Sequence, residues 1–166
     1  MMHQAFVALG SNLHDPVHQV KKALMAISNL PKTQLLKKSS LYKTSPVDCP
    51  HDADNSPVPD FINAVAEVQT ELSPQELLLA LHAIENEAGR VRPFVNAPRV
   101  LDCDLLLYEN KVIQSDTLIL PHPRMHTRGF VLLPLFEIAP QLSMPVHGKI
   151  EQLISPELSK DIKKLS

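Results

Sequence analysis

Apolar positions recur along the chain with periods that divide it into elements. Residues 4–9 (Gln-Ala-Phe-Val-Ala-Leu) form an apolar run ended by Gly10-Ser11-Asn12, which reads as a buried strand. Val17, Val20, Leu24 and Ile27 then recur at helical spacing. Asp15 is placed to cap that helix, Pro16 suits its first position and Pro31 closes it. Residues 34–45 read as a second strand, and residues 46–60 as a loop stiffened by Pro46, Pro50, Pro57 and Pro59. The alternation over 61–70 predicts a third strand. Ile62, Ala64, Ala66 and Val68 point to one side; Phe61, Asn63, Val65 and Glu67 point to the other. Ser73-Pro74-Gln75-Glu76 is a capping box that opens a helix with Leu77, Leu81, Ile84 and Ala88 as its apolar stripe and Gly89 as its stop. A loop from Arg90 to Arg99 precedes a strand at 100–108. Beyond it lie a short strand-like piece at Lys111–Ile113, a turn at Pro121-His122-Pro123, a helix from about His126 to Ile138, and a polar end.

The leading order is strand, helix, strand, strand, helix, strand. That is the ferredoxin-like βαββαβ arrangement, an α+β fold whose antiparallel sheet carries both helices on one face. The rest forms a C-terminal extension, and residues 1–166 read as a single domain. The opposite sheet face is expected to be left for loops and ligand. Such a sheet hosts many functions, so the side chains must carry the functional argument.

Composition narrows the field. The chain has 166 residues, 44% of them hydrophobic and 20% charged, with a net charge of −2. A broad attraction to nucleic acid or to an anionic membrane is not supported. No apolar run is long enough to span a bilayer, and the start lacks the pattern of a signal peptide. Cys49 and Cys103 make neither a disulfide framework nor a Cys-x-x-Cys pair, which favours a reducing compartment, the cytoplasm. Arg90, Arg92 and Arg99 cluster within ten residues, and Arg124 and Arg128 follow. On a near-neutral chain that clustering suits a small anionic ligand.

The sharpest chemical feature is Leu101-Asp102-Cys103-Asp104-Leu105. Asp102 and Asp104 project from one face of a strand, about 7 Å apart. Two such carboxylates need a partner, and either a hard cation or the nearby arginines would serve. Arginine offers a planar donor fork for phosphate oxygens, though a solvated basic turn after a helix would look similar. Phe61 and Asn63 share a face, where a ring and an amide could hold a flat heterocycle or simply serve as core and strand edge. His122 and His126 are four apart, but Pro123 interrupts the segment and no third zinc ligand is evident. A phosphate contact from His122 fits better. The four glycines form neither a P-loop nor a dinucleotide-binding fingerprint, so phosphate binding must rest on arginines and metal.

Taken together the motifs resemble the 6-hydroxymethyl-7,8-dihydropterin pyrophosphokinase family. The resemblance is carried by Ala8-Leu9-Gly10-Ser11-Asn12, Ser40 to Pro46, Asp60-Phe61-Ile62-Asn63-Ala64, Gly89-Arg90-Val91-Arg92, Pro98 to Leu105, Leu120-Pro121-His122-Pro123-Arg124 and Arg128 to Leu132. It implies an enzyme that transfers pyrophosphate from ATP to the pterin hydroxymethyl group and releases AMP, in folate synthesis. It implies two Mg2+ ions held by Asp102 and Asp104. It implies a pterin stacked between Phe61 and Phe130, with Asn63 reading its polar edge and backbone near Thr44, Ser45 and Val47 completing the pocket. Arg90, Arg92 and Arg99 would contact phosphates or the hydroxymethyl group. His82, Glu85, His122 and Arg128 would lie on the nucleotide side. The expected partners are ATP and the pterin, with no nucleic acid and no membrane, for a monomer.

Several positions depart from the family pattern. The chain has no tryptophan, and Asn96-Ala97 occupies the loop where the family carries one, with Phe94 as the apolar substitute. Thr117 and Ile119 stand where an arginine and a threonine are expected near the nucleotide. Loops 46–60 and 90–99 are expected to be mobile without ligand and to close over both substrates. Two other readings use the same fold: a non-catalytic ligand-binding module, which needs no diaspartate strand, and an RNA-binding sheet, which the net charge and the lack of an aromatic-basic strand disfavour.

Overall fold

The computed structural model describes residues 2–12, 15–44, 60–88, 101–158 and 162–165. Ser45, Val47, Arg90, Arg92, Arg99, Phe94, Gly89 and Cys49, and with them the expectation of loop closure, lie outside the described residues.

Strand β1 (His3–Ser11) leads to helix α1 (Pro16–Ser28), then to β2 (Thr33–Lys38), β3 (Tyr42–Thr44) and β4 (Phe61–Thr70). Helix α2 (Pro74–Glu87) and β5 (Asp102–Tyr108) follow. The extension holds β6 (Ile113–Gln114), β7 (Ile119–Leu120), a 3-10 turn at Met125–Thr127, α3 (Gly129–Ile138), β8 (Ser143–Met144), β9 (Gly148–Lys149), a 3-10 turn at Ile150–Gln152 and β10 (Ile162–Lys164). Six strands make the main sheet, in the order β10-β3-β4-β1-β5, with β2 on the same edge of β4 as β3. The edge formed by β2 and β3, then β4, β1 and β5, thus takes the antiparallel ferredoxin-like order.

Local chemistry sets the helix starts as expected. Asp15 accepts a hydrogen bond from the His18 amide, and Ser73 and Glu76 close a reciprocal capping box. Val20, Leu24 and Ile27 of α1 and Leu77, Leu81 and Ile84 of α2 bury against Ile62, Ala64, Ala66 and Val68 of β4, the side that alternation assigns to the core.

Four expectations are corrected. The strand at 34–45 is two strands, because Ser39 leaves the regular ladder. Its amide donates to Val65 O, its hydroxyl accepts from Val65 N, and Ser40 turns instead to the Glu137 carboxylate. The helix expected from His126 begins at Gly129, because Arg128 is extended (φ −107°, ψ 107°) and divides a 3-10 turn from α3. The second face of the sheet is not left open. Phe6, Ala8, Val65, Leu106 and Leu107 pack there with Val131, Leu132, Leu135 and Ile138 of α3 in a second apolar cluster. Tyr42 OH and Ser40 of the sheet edge bond Glu137, which clamps α3 in place. The short strand expected at Lys111–Ile113 is displaced to Ile113–Gln114, where it pairs with β7.

Candidate active site

What α3 leaves uncovered is the end of the sheet where β1 finishes and β5 begins. Register puts the key side chains in one row there. Asp102 of β5 and Asn63 of β4 both pair with Gly10 of β1, from either side, and Tyr42 of β3 pairs with Asn63. Because side chains alternate, Asp102, Asp104, Asn63 and Phe61 share the face on which α3 lies.

Gly10 is needed in that row. A Cβ there would stand 2.8 Å from Asn63 Oδ1. The bare backbone lets the amide lie across β1. Asn63 Nδ2 in turn donates to Thr44 Oγ1 at 3.1 Å, and both residues are buried. Thr44 thus orients the amide that the sequence singles out. Phe61 is half-buried at the start of β4, and Phe130, in the first turn of α3, rests on the second apolar cluster. The Arg128 guanidinium carbon lies 5.5 Å from the Phe130 ring centroid, a cation–π contact.

Asp102 and Asp104 are half-buried, while Cys103 between them turns into the helix-side core. Burial first, and then the charges of Glu85, Asp104 and Asp102, push the Cys103 thiol well above its usual range. It stays protonated, so the donor set offered here is oxygen, the chemistry of a hard cation.

The outer edge of β5 forms one wall of a cleft of about 280 Å3. His82 and Glu85 of α2, Asp104 and Leu105 of β5, Thr117 and Ile119 from the β6–β7 hairpin, and His122 line it. Glu85 is 2% exposed and accepts from the Cys103 amide at 2.8 Å, so it satisfies a backbone donor that a sheet edge would otherwise strand. His122 Nδ1 accepts from the Arg124 amide at 3.2 Å. A neutral ring held this way carries its proton on Nε2. Burial pushes the His122 pKa down, helped by Arg128, Arg124 and His147 and opposed by Asp104, which favours that neutral form.

The described residues among those named from the sequence therefore gather at two places that meet at β5. Thr44, Phe61, Asn63 and Phe130 belong to the α3 side, and His82, Glu85 and His122 to the cleft, with Asp104 common to both. Arg128 stands at the start of α3 outside the cleft lining. Sequence reasoning missed the part played by Gly10, for which a glycine inside a strand pattern is the available signal. It also missed the apolar cleft wall of Leu78, Leu105 and Leu118. Thr117 and Ile119, noted only as departures, do line the cleft.

Comparison with known proteins gives a consistent result. Residues 6–140 match the family model for 7,8-dihydro-6-hydroxymethylpterin-pyrophosphokinase. The 2-amino-4-hydroxy-6-hydroxymethyldihydropteridine pyrophosphokinase of Haemophilus influenzae is 50% identical over 153 residues, covering 92% of each chain. The protein of the same name from Pseudomonas aeruginosa is 42% identical over 155 residues, 93% of this chain and 92% of its own. Among solved structures, wild-type Plasmodium falciparum HPPK-DHPS with pteroate superposes with a TM-score of 0.76 at 13% identity. That match covers 99% of this chain but 46% of the other, so the chain spans about half the length of that structure and shares its fold.

Proposed function

The chain belongs to the 7,8-dihydro-6-hydroxymethylpterin-pyrophosphokinase family, and from that premise we propose how its residues transfer pyrophosphate from ATP to the hydroxymethyl group of 6-hydroxymethyl-7,8-dihydropterin, with release of AMP, in folate biosynthesis. The observation that carries the proposal is the register at Gly10. It sets an oriented amide on one side of a bare backbone and a carboxylate of the Asp102–Asp104 pair on the other.

The pterin ring lies between Phe61 and Phe130, with its polar edge against Asn63, whose amide Thr44 holds. Backbone at Ser45 and Val47 completes that pocket. ATP occupies the β5 cleft, with His82 and Glu85 toward the nucleoside and His122 and Arg128 toward the phosphates. Asp102 and Asp104 hold Mg2+, two ions by the family resemblance, and the all-oxygen donor set and the protonated Cys103 support that choice. Bound Mg2+ would neutralise phosphate charge and draw the two substrates to one point.

The hydroxymethyl oxygen forms a bond to the β-phosphorus while the bond from that phosphorus to the oxygen bridging the α-phosphate breaks, and AMP departs. The alcohol proton passes to solvent, since both aspartates act as ligands. The neutral His122 donates Nε2–H to a phosphate oxygen without competing for the metal. Arg90, Arg92 and Arg99 neutralise the charge that develops on the transferred group. Positioning and electrostatics thus supply the catalysis. We read residues 1–166 as a single domain working as a monomer in the cytoplasm, a compartment that the free buried thiol of Cys103 suits.

AMP release, followed with ATP and the pterin alcohol, tests the reading. Activity should vanish with chelator and return with Mg2+. Asp102→Asn and Asp104→Asn should each lower turnover by roughly a hundredfold or more at unchanged circular dichroism, because a ligand charge is lost at constant volume. Near-normal turnover in either folded variant refutes the metal assignment.

A further inference from the structure

Behind the cleft, the 3-10 turn and the β8–β9 hairpin bring two more imidazoles together. The His126 and His147 rings stack, with centroids 4.2 Å apart and planes inclined by 18°. Neither residue lines the cleft. His147 Nε2 lies 3.2 Å from the main-chain oxygen of His122. A carbonyl can only accept, so His147 donates and its Nε2 is the protonated nitrogen.

The turn that carries His147 is strained. Val146 has φ 69°, a left-handed conformation that a β-branched residue rarely takes. The His147 amide closes back on Pro145 O at 2.7 Å, so the reversal spans only three residues. Val146 itself is 77% exposed, so packing of its side chain does not offset the strain. Such strain persists where the surroundings fix the conformation, and it concentrates at functional elements. Here the tight reversal aims the His147 ring at His122 and onto His126.

Four hydrogen bonds hold His122. Its amide donates to Leu106 O at 3.0 Å, its carbonyl accepts from His147 at 3.2 Å and from the Met125 amide at 3.4 Å, and its Nδ1 accepts from the Arg124 amide. Only Nε2–H is left as a donor of the ring. We infer that His147, braced by the stacked His126, is a positioning residue that fixes the His122 turn so that its Nε2–H meets a nucleotide phosphate. This rests on the reading of His122 as a phosphate donor.

The experiment measures KM for ATP, kcat and pterin affinity in His147→Leu, His147→Gln and His122→Ala, together with long-range 1H–15N spectra of the His122 ring. His147→Leu fills the space but cannot donate. It should raise KM for ATP roughly three- to tenfold, the range that one lost hydrogen bond covers, while kcat and pterin affinity stay within about twofold. His147→Gln, which can still donate from its amide, should recover most of the loss. The His122 spectrum should show the Nε2–H tautomer in the wild type and a tautomer mixture in His147→Leu. If His147→Leu has the wild-type KM and tautomer while His122→Ala weakens ATP, the positioning role is wrong. If His147→Leu weakens ATP and pterin alike and His147→Gln does not recover, His147 merely braces the fold and the inference fails. If His122→Ala leaves KM for ATP unchanged, the phosphate reading of His122 falls first and takes the inference with it.

Discussion

Gly10→Ala adds one methyl group to the middle of the site row, and its effect can be worked out from three distances. The new Cβ would stand 2.8 Å from Asn63 Oδ1, whereas carbon–oxygen contacts ordinarily begin near about 3.3 Å. The amide must therefore give way by roughly half an ångström. It has nowhere to slide. Gly10 is on β1 and Thr44 is on β3, on opposite sides of β4. Motion away from the methyl drives Nδ2 toward Thr44 Oγ1, which is already 3.1 Å away; the result is about 2.6 Å, shorter than an N–H···O bond tolerates. The amide must rotate and give up Thr44. One buried hydrogen bond and the orientation of the pterin-reading group are lost together, a cost of about 1–3 kcal/mol. Pterin affinity should fall by about tenfold or more, with ATP affinity within about twofold and the melting temperature down by a few degrees. Separate calorimetric titrations with the pterin alcohol and with a non-hydrolysable ATP analogue decide it. Unchanged pterin affinity in the folded variant would show that the amide is not held as described. Equal losses for both ligands would place Gly10 in the scaffold alone.

Phe130→Ala and Phe61→Ala should weaken pterin binding far more than ATP binding, by roughly tenfold or more if the rings stack on the heterocycle; equal losses in titrations of each ligand would mean that the rings are only core. Glu137 gives a pH prediction away from the site. Burial pushes its pKa up, but hydrogen bonds from Tyr42 and Ser40 and the charge of Lys164 together bring it below the usual value. Its stabilising effect is therefore present above the ordinary glutamate range and lost as pH falls through the depressed folded value. Melting temperatures taken between about pH 7 and about pH 3 should fall more steeply for the wild type than for Glu137→Gln, and parallel curves would refute the clamp. Val146→Gly should relieve a left-handed strain of about 1–2 kcal/mol against about 0.5–1 kcal/mol of added chain entropy. A net gain of a degree or more in thermal denaturation is expected, and a clear loss would show that Val146 is not strained.

The elements with a strong period are legible in the sequence. The strand at Phe61–Thr70 and the helix at Pro74–Glu87 have the extents that alternation and the capping box predict, because each marks its own boundary by local chemistry. The strand at 34–45 is not legible as two, since its break depends on Ser39 bonding Val65 and on Ser40 reaching Glu137, 97 residues further along the chain. The covered sheet face is hidden for a similar reason. Apart from Glu137, the segment Gly129–Ile138 is apolar all round, and nothing in its period says which surface it will meet. Of the site, the carboxylate pair is visible because alternation over three residues puts both on one face. The brace on His122 is not visible, because it joins His122 to His147 through a main-chain oxygen that carries no sequence signal.

The alternation of β5 also explains why the two halves of the site depend on each other. Odd positions Cys103 and Leu105 enter the core beneath α1 and α2, and even positions Asp102 and Asp104 share the face on which α3 lies. The same strand is the edge of the sheet, so its outward amide at Cys103 needs a partner, and Glu85 of α2 supplies it inside the cleft. A displacement of α2 would thus pull on the backbone that sets the aspartate pair, and Glu85 holds strand and cleft in one register. On the proposed reading, the metal side and the nucleotide side therefore share one strand, and the reacting phosphorus is expected where that strand passes from one to the other, at Asp104.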